Sequence, residues 1–182
     1  MFEKFEEYFQ VNYEREDSFG EGSVLQCLRS IYGGKDFGNG IYRIFDSNEA
    51  EVWKANVKSA YPEYTKDFEI VSCDWLGRCF GVLTEGEEAI LMFEIGTADV
   101  LVIPCNLLDF HNNEITEYAE ECLAESFFEE WMEIERKSLK HNQCVGYKVP
   151  LFIGGDDELD NLEVSDMDVY WNVCSQIKAK VM

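Results

Sequence analysis

The side chains that could do chemistry are few and scattered. Only two histidines occur in 182 residues, and there is no Cys-x-x-Cys pair. His141-Asn-Gln-Cys144 offers two metal ligands at close spacing but nothing nearby in sequence to complete a tetrahedral shell. Asp156-Asp-Glu-Leu-Asp160 opens like a calcium-binding loop. Asn161 stands where that loop needs its turn glycine and Met167 where it needs the bidentate glutamate, so the segment reads as a solvated acidic turn. Gly33 and Gly38 have the spacing of the glycines in a phosphate-binding loop, yet Asn39 replaces the lysine that would reach the phosphates. No Gly-x-Ser-x-Gly elbow presents a serine nucleophile, and carboxylates are too numerous for one pair to stand out. The expectation is a chain with no metal, no cofactor and no catalytic residue, one that acts by binding and not by turnover.

Composition says what it would bind. Fifteen Lys and Arg against 37 Asp and Glu leave a formal charge of −22. Such a field repels the phosphate backbone of nucleic acid and anionic membrane surfaces, and it draws in basic proteins. Seven cysteines, odd in number and without a close pair, suit reduced thiols acting as small buried hydrophobes in a reducing compartment. The N-terminus Met1-Phe2-Glu3-Lys4-Phe5-Glu6-Glu7 has neither a basic n-region nor an apolar h-region, and no apolar run approaches the roughly 20 residues of a membrane span. The expected location is the cytoplasm. The oligomeric state is left open.

The elements that must position these residues follow from periodicity. The chain reads as one α+β domain over residues 1–182, a mainly antiparallel sheet flanked by helices, with residues 1–32 as a helical N-terminal portion. Short helices are expected from Phe2 to Phe9 and from about Ser23 to Ile31. Residues 33–40 read as a loop whose Asn39-Gly40 turn opens a strand at Ile41–Phe45. A helix from about Asn48 to Ala60 would present Val52, Trp53 and Val57 on one face. Between Phe68 and Ile103 four β-forming runs separated by hairpin-length breaks predict an antiparallel meander, and the nearly continuous apolar run 89–95 predicts a strand covered on both faces. From Glu114 to about Leu139 the pattern is helical, but the stripe of Ile115, Tyr118, Ala119, Cys122 and Leu123 is rotated away from that of Phe128, Trp131 and Met132. A break between about 123 and 127 follows, with Ser126-Phe-Phe-Glu129 read as a capping box. Val149–Ile153 looks like a strand, and a final helix over Asp166–Ile177 is loosely capped by Ser165.

Periodicity alone does not require certain dense clusters of aromatic, glycine and polar residues. They are Cys73-Asp-Trp-Leu-Gly-Arg78, Asp109-Phe-His-Asn112, Gly146-Tyr-Lys-Val-Pro-Leu-Phe-Ile-Gly-Gly155, Asn161-Leu-Glu163 and Asp166-Met-Asp-Val-Tyr-Trp171. Their order and spacing over residues 37–177 resemble those of SMI1/KNR4-like (SUKH superfamily) bacterial immunity proteins, closest to the type VI secretion DNase-immunity branch. The resemblance implies an SMI1/KNR4-like α+β fold that binds and silences a cognate toxin. It implies no catalytic residues. Asp74, Trp75, Gly77, Arg78, Phe110, His111, Pro150, Gly154, Gly155, Asn161, Tyr170 and Trp171 are then expected to build the core and turns, not to touch the partner.

The contacts are expected on the acidic surface. From Glu114 to Glu135 there are nine Glu and no Lys or Arg, and from Val149 to Ile177 there are seven acids and no base. Ordinary solvated faces mix signs to gain i,i+4 pairs. Glu117, Glu121, Asp156, Asp157 and Asp160 are the candidate partner-binding residues, facing a basic toxin such as a nuclease. Three other readings stay open: acids that only confer solubility, a regulatory or scaffold module of the same fold, and an unrecognised hydrolase.

Overall fold

Two reciprocal capping boxes fix where the first long helices begin. In the computed structural model, which describes residues 1–11 and 22–182, the Ser23 hydroxyl accepts from the Gln26 N–H while the Gln26 amide oxygen accepts from the Ser23 N–H. Helix α2, Val24–Tyr32, starts there. Asp46 and Glu49 make the same exchange ahead of α3, Ser47–Ala60. Helix α1 is Glu3–Tyr8. Residues 12–21 of the expected helical N-terminal portion lie outside the described residues. Residues 33–40 are not simply a loop: they contain a short strand, β1, Lys35–Phe37, and a tight turn at Gly38–Gly40. Strand β2 is Tyr42–Ile44. The face expected of α3 is corrected in part, because the helix buries Ala50, Val57 and Ala60, and Val52 falls outside that stripe.

The meander is present as expected and longer than expected. Strands β3 (Phe68–Asp74), β4 (Cys79–Leu83), β5 (Ile90–Glu94) and β6 (Asp99–Ile103) pair antiparallel, and β1 and β2 extend them into a six-stranded sheet in chain order. Successive side chains of β5 enter opposite cores. Ile90 and Met92 pack with Phe5, Tyr32, Phe110 and Trp131, whereas Leu91 and Phe93 pack with Val57, Tyr61 and Trp171. Both faces are therefore dry, and burying both supplies the apolar area that a chain of this length needs to be stable. Six of the seven cysteines are buried, five of them in these two cores, and all seven are unpaired.

After β6 the chain winds through α4 (Leu107–Asp109), a π-helical turn (Phe110–Glu114), α5 (Ile115–Glu117), α6 (Ala119–Leu123) and α7 (Glu125–Glu135). The break lies at Ala124, held in the left-handed region at φ 51°, inside the expected interval. The capping-box reading is overturned. Ser126 sits within the first turn of α7, and its N–H donates to the Glu120 carboxylate at 2.9 Å. A second sheet, β7 (Gln143–Tyr147) with β8 (Leu162–Asp166), was not visible in the sequence pattern. Val149–Ile153 is not a strand: its last three residues form a 3-10 turn, and Leu151 N–H donates to Gly96. Helix α8, Met167–Val181, is capped by Asp166, whose carboxylate accepts from Asp168 and Val169 N–H; Ser165 is not the cap.

Candidate functional site

The motif residues converge on one buried junction. Asp74 and Arg78 flank the turn between β3 and β4, which Gly77 allows by adopting φ +77°. The Arg78 guanidinium donates to the Asp74 carboxylate at 2.5 Å, and the Arg78 N–H donates to its other oxygen at 2.9 Å. Burial pushes the Asp74 carboxyl up, and the guanidinium pulls against it. Arg78 then reaches across to the Cys122 carbonyl at 3.0 Å, while the Trp75 indole N–H donates to the Leu123 carbonyl at 2.8 Å. These are carbonyls at the C-terminal end of α6, which a helix leaves without partners; a guanidinium there also faces the negative end of the helix dipole. The turn thereby holds the chain where Ala124 reverses and sends α7 outward. On the other side Trp171 donates to the Gly77 carbonyl at 2.8 Å, and a side chain at Gly77 would press on Cys144 at 3.2 Å.

The remaining motif positions brace neighbouring segments. His111, fully buried, lies 2.8 Å from the Leu107 carbonyl through Nδ1 and 3.0 Å from the Tyr42 hydroxyl through Nε2. A carbonyl only accepts, so Nδ1 carries the proton, and burial drops the imidazole to about 4. Phe110 packs on Phe80 at 5.3 Å. Asn161 closes the 149–161 loop: its side chain accepts from Val149 N–H and donates to the Val149 and Asp156 carbonyls. Pro150 is buried at the start of the 3-10 turn, Gly154 ends it at φ +93°, and Gly155 lies so close to the Val149 carbonyl that a Cβ would sit 1.9 Å away. Tyr170 covers Gly146 and Gly96, where a Cβ would approach its ring to 2.5 Å and its hydroxyl to 3.1 Å respectively.

The acidic candidates are placed differently. Glu117, Glu121, Asp156, Asp157 and Asp160 are all exposed, the first two on α5 and α6 and the others on the loop that Asn161 closes. Glu117 is not free of cations, since Lys4 of α1 pairs with it at 2.7 Å, and Asp157 accepts from the Tyr147 hydroxyl at 2.7 Å. The side chains of Glu121, Asp156 and Asp160 have no ion pair among the described residues.

Residues 108–178 match the family model described as T6SS immunity protein Tdi1, C-terminal. The likeness to type VI secretion immunity proteins read from the motifs therefore holds over α5 to α8, the stretch that carries both acidic runs. No curated protein matches the chain. Three solved chains match. One, the crystal structure of Atu4351 from Agrobacterium tumefaciens, superposes with a TM-score of 0.62 at 14% identity, covering 97% of this chain and 89% of that one. At that identity the likeness is one of fold.

Sequence reasoning did not see two clusters. His141 is clasped between the Asp36 and Glu49 carboxylates at 2.8 and 2.6 Å, and these hydrogen bonds and charges raise it to about 9. Beneath it the buried Arg43 faces Asp36 at 3.2 Å and donates to the Gln143 carbonyl. The second cluster joins Tyr8 of α1 to Glu125 of α7 by a hydrogen bond across 117 residues. Neither has a signal in local spacing, because the partners come from segments far apart in the chain.

Proposed function

We propose that this chain is a cytoplasmic, SMI1/KNR4-like immunity protein that binds a cognate secreted toxin stoichiometrically and neutralises it without turnover. The observation that carries the reading is a coincidence of position. The stretch matching a type VI secretion immunity family also carries both acidic runs, nine Glu over residues 114–135 and seven acids over 149–177, each without a Lys or Arg of its own. A basic toxin, such as a nuclease, meets a complementary field there. Glu117, Glu121, Asp156, Asp157 and Asp160 are its proposed contacts, with the motif residues of the 74–78 turn and the Asn161 loop holding them in place. Charges of this kind speed encounter more than they slow dissociation.

The test is genetic and then kinetic. The gene beside this one is expressed alone and together with it; the reading expects growth arrest alone and rescue together. With purified partners, association should fall steeply from 10 to 200 mM salt as the screening length shrinks from roughly 30 Å to about 7 Å. Absence of rescue, or a flat salt response, would sink the reading or its electrostatic half respectively.

A further inference from the structure

Between the end of α1 and the outer face of α7 lies an open cavity of about 620 Å³, within the range of sites that hold small ligands. Its apolar walls are Phe9, Phe128 and Met132, and its rim is Tyr8, Glu125 and Glu129. The turn at Gly38 leaves it room: a Cβ on Gly38 would meet Ile41 at 2.7 Å and Phe9 at 3.2 Å, so any larger residue would push the floor into the opening. Tyr8 stands edge-on to Phe9, with ring centroids 4.8 Å apart. Its hydroxyl donates to Glu125, and both Glu125 and Glu129 add to the negative field around it.

Two features of this cavity call for a cation. Glu125 and Glu129 are four residues apart on one helix, an arrangement of like charges that is unfavourable, and α7 carries no Lys or Arg to relieve it. The cavity also sets the apolar side chains of Phe9, Phe128 and Met132 beside this polar rim, so a hydrated ion would use only part of it. A side chain that couples an apolar stem to a flat, delocalised cation satisfies both, with the stem against Phe128 and Met132, the plane against one of the two perpendicular rings of Tyr8 and Phe9, and the donors on two carboxylates. An ammonium, compact and strongly hydrated, uses the flat aromatic walls less well.

We propose that this cavity is an anchor site for an arginine side chain of the partner protein. The proposal rests on the toxin-binding reading for the identity of the partner, but not for the chemistry of the site.

The decisive experiment uses the intact chain with its methionine methyl groups labelled with carbon-13, Met132 being assigned from the signal lost in Met132→Leu. N-acetyl-arginine amide is titrated in, with the citrulline and lysine analogues as a neutral isostere and an alternative cation. The arginine amide should move the Met132 methyl saturably, and the other two should bind about tenfold more weakly or not at all. Glu129→Gln should weaken the arginine amide roughly fivefold to tenfold, the loss of one charge-assisted contact, with the unfolding midpoint retained. A Met132 methyl that stays still, or that moves equally with all three amides, overturns the site. A second arm measures binding of the toxin encoded next to this gene. If the native chain and a Glu125→Gln/Glu129→Gln variant bind that toxin equally, the anchor role falls and the immunity reading stands. If the native chain does not bind it, the immunity reading falls, and the amide titration still decides the cavity.

Discussion

The turn Asp74–Arg78 and helix α7 touch each other, with Trp75 5.2 Å from Phe128 and 6.1 Å from Trp131, yet they are built on opposite principles. The turn contains the residue types usually suspected of chemistry, an aspartate, a tryptophan, a glycine and an arginine. All of them are buried, and their polar groups are spent on one another and on backbone carbonyls. Helix α7 is a plain run of glutamates around an aromatic seam, and among the described residues only Glu125 of its carboxylates has a side-chain partner, Tyr8. The comparison separates support from display. A side chain whose hydrogen bonds are all satisfied inside the protein has little left for a partner, whereas unpaired exposed charge costs little to keep and is available for encounter.

Experiments can break this division, and the largest effects belong on the supporting side. Asp74→Ala leaves Arg78 buried without its counter-ion and should cost about 3–5 kcal/mol in urea unfolding. A change below about 1 kcal/mol would mean that the turn is not the support it looks like. His111 comes next. Its imidazole falls to about 4 in the folded chain from an ordinary 6.5, so the stability it contributes is present above pH 6.5 and is lost as pH drops towards 4. The loss reaches roughly 3 kcal/mol, and the acid limb of the stability profile should flatten in His111→Gln. Ala124→Gly should go the other way, because glycine relieves a left-handed φ, and should add about 1 kcal/mol to stability. The smallest effect on folding is expected on the display side. Glu121→Lys with Asp160→Lys should leave the unfolding midpoint where it is while slowing association with a basic partner. Unfolding of that variant would show that these acids are structural after all.

How much of this was legible in advance depends on the distance between the groups involved. The meander from Phe68 to Ile103 announces itself because period-two runs and hairpin-length breaks are local, and the break at Ala124 showed as a rotation between two apolar stripes. Its cause did not show. Ser126 with Glu129 has the form of a helix cap, but the terminating groups are Trp75 and Arg78, 48 and 44 residues away from their acceptors. The pair β7 and β8 escaped notice for a related reason. Gly146 interrupts one strand and the other is largely exposed, so neither shows a buried alternation, and their pairing spans the acidic loop. The exposure of Glu117 and Glu121 follows from their place opposite the apolar stripe. Lys4 beside Glu117, and Tyr8 beside Glu125, required the third dimension.

Helix α1 carries a consequence for synthesis. Phe2 and Phe5 lie 5.8 and 5.3 Å from His111, and Lys4 donates to Asn113 across 109 residues. On a ribosome adding about 5–20 residues each second, the N-terminal helix waits on the order of 5–20 s before that half of its docking site exists. Tyr32, Phe37 and Tyr42 can shelter Phe5 earlier, but of the ring partners of Phe2 among the described residues, Tyr32 alone is made before the π-helical turn emerges. The molecule therefore closes its first core late, as a clasp of its beginning onto its second half. Arrested chains ending before residue 107 should expose these aromatic rings to chaperones and proteases, while chains extended past residue 117 should hide them.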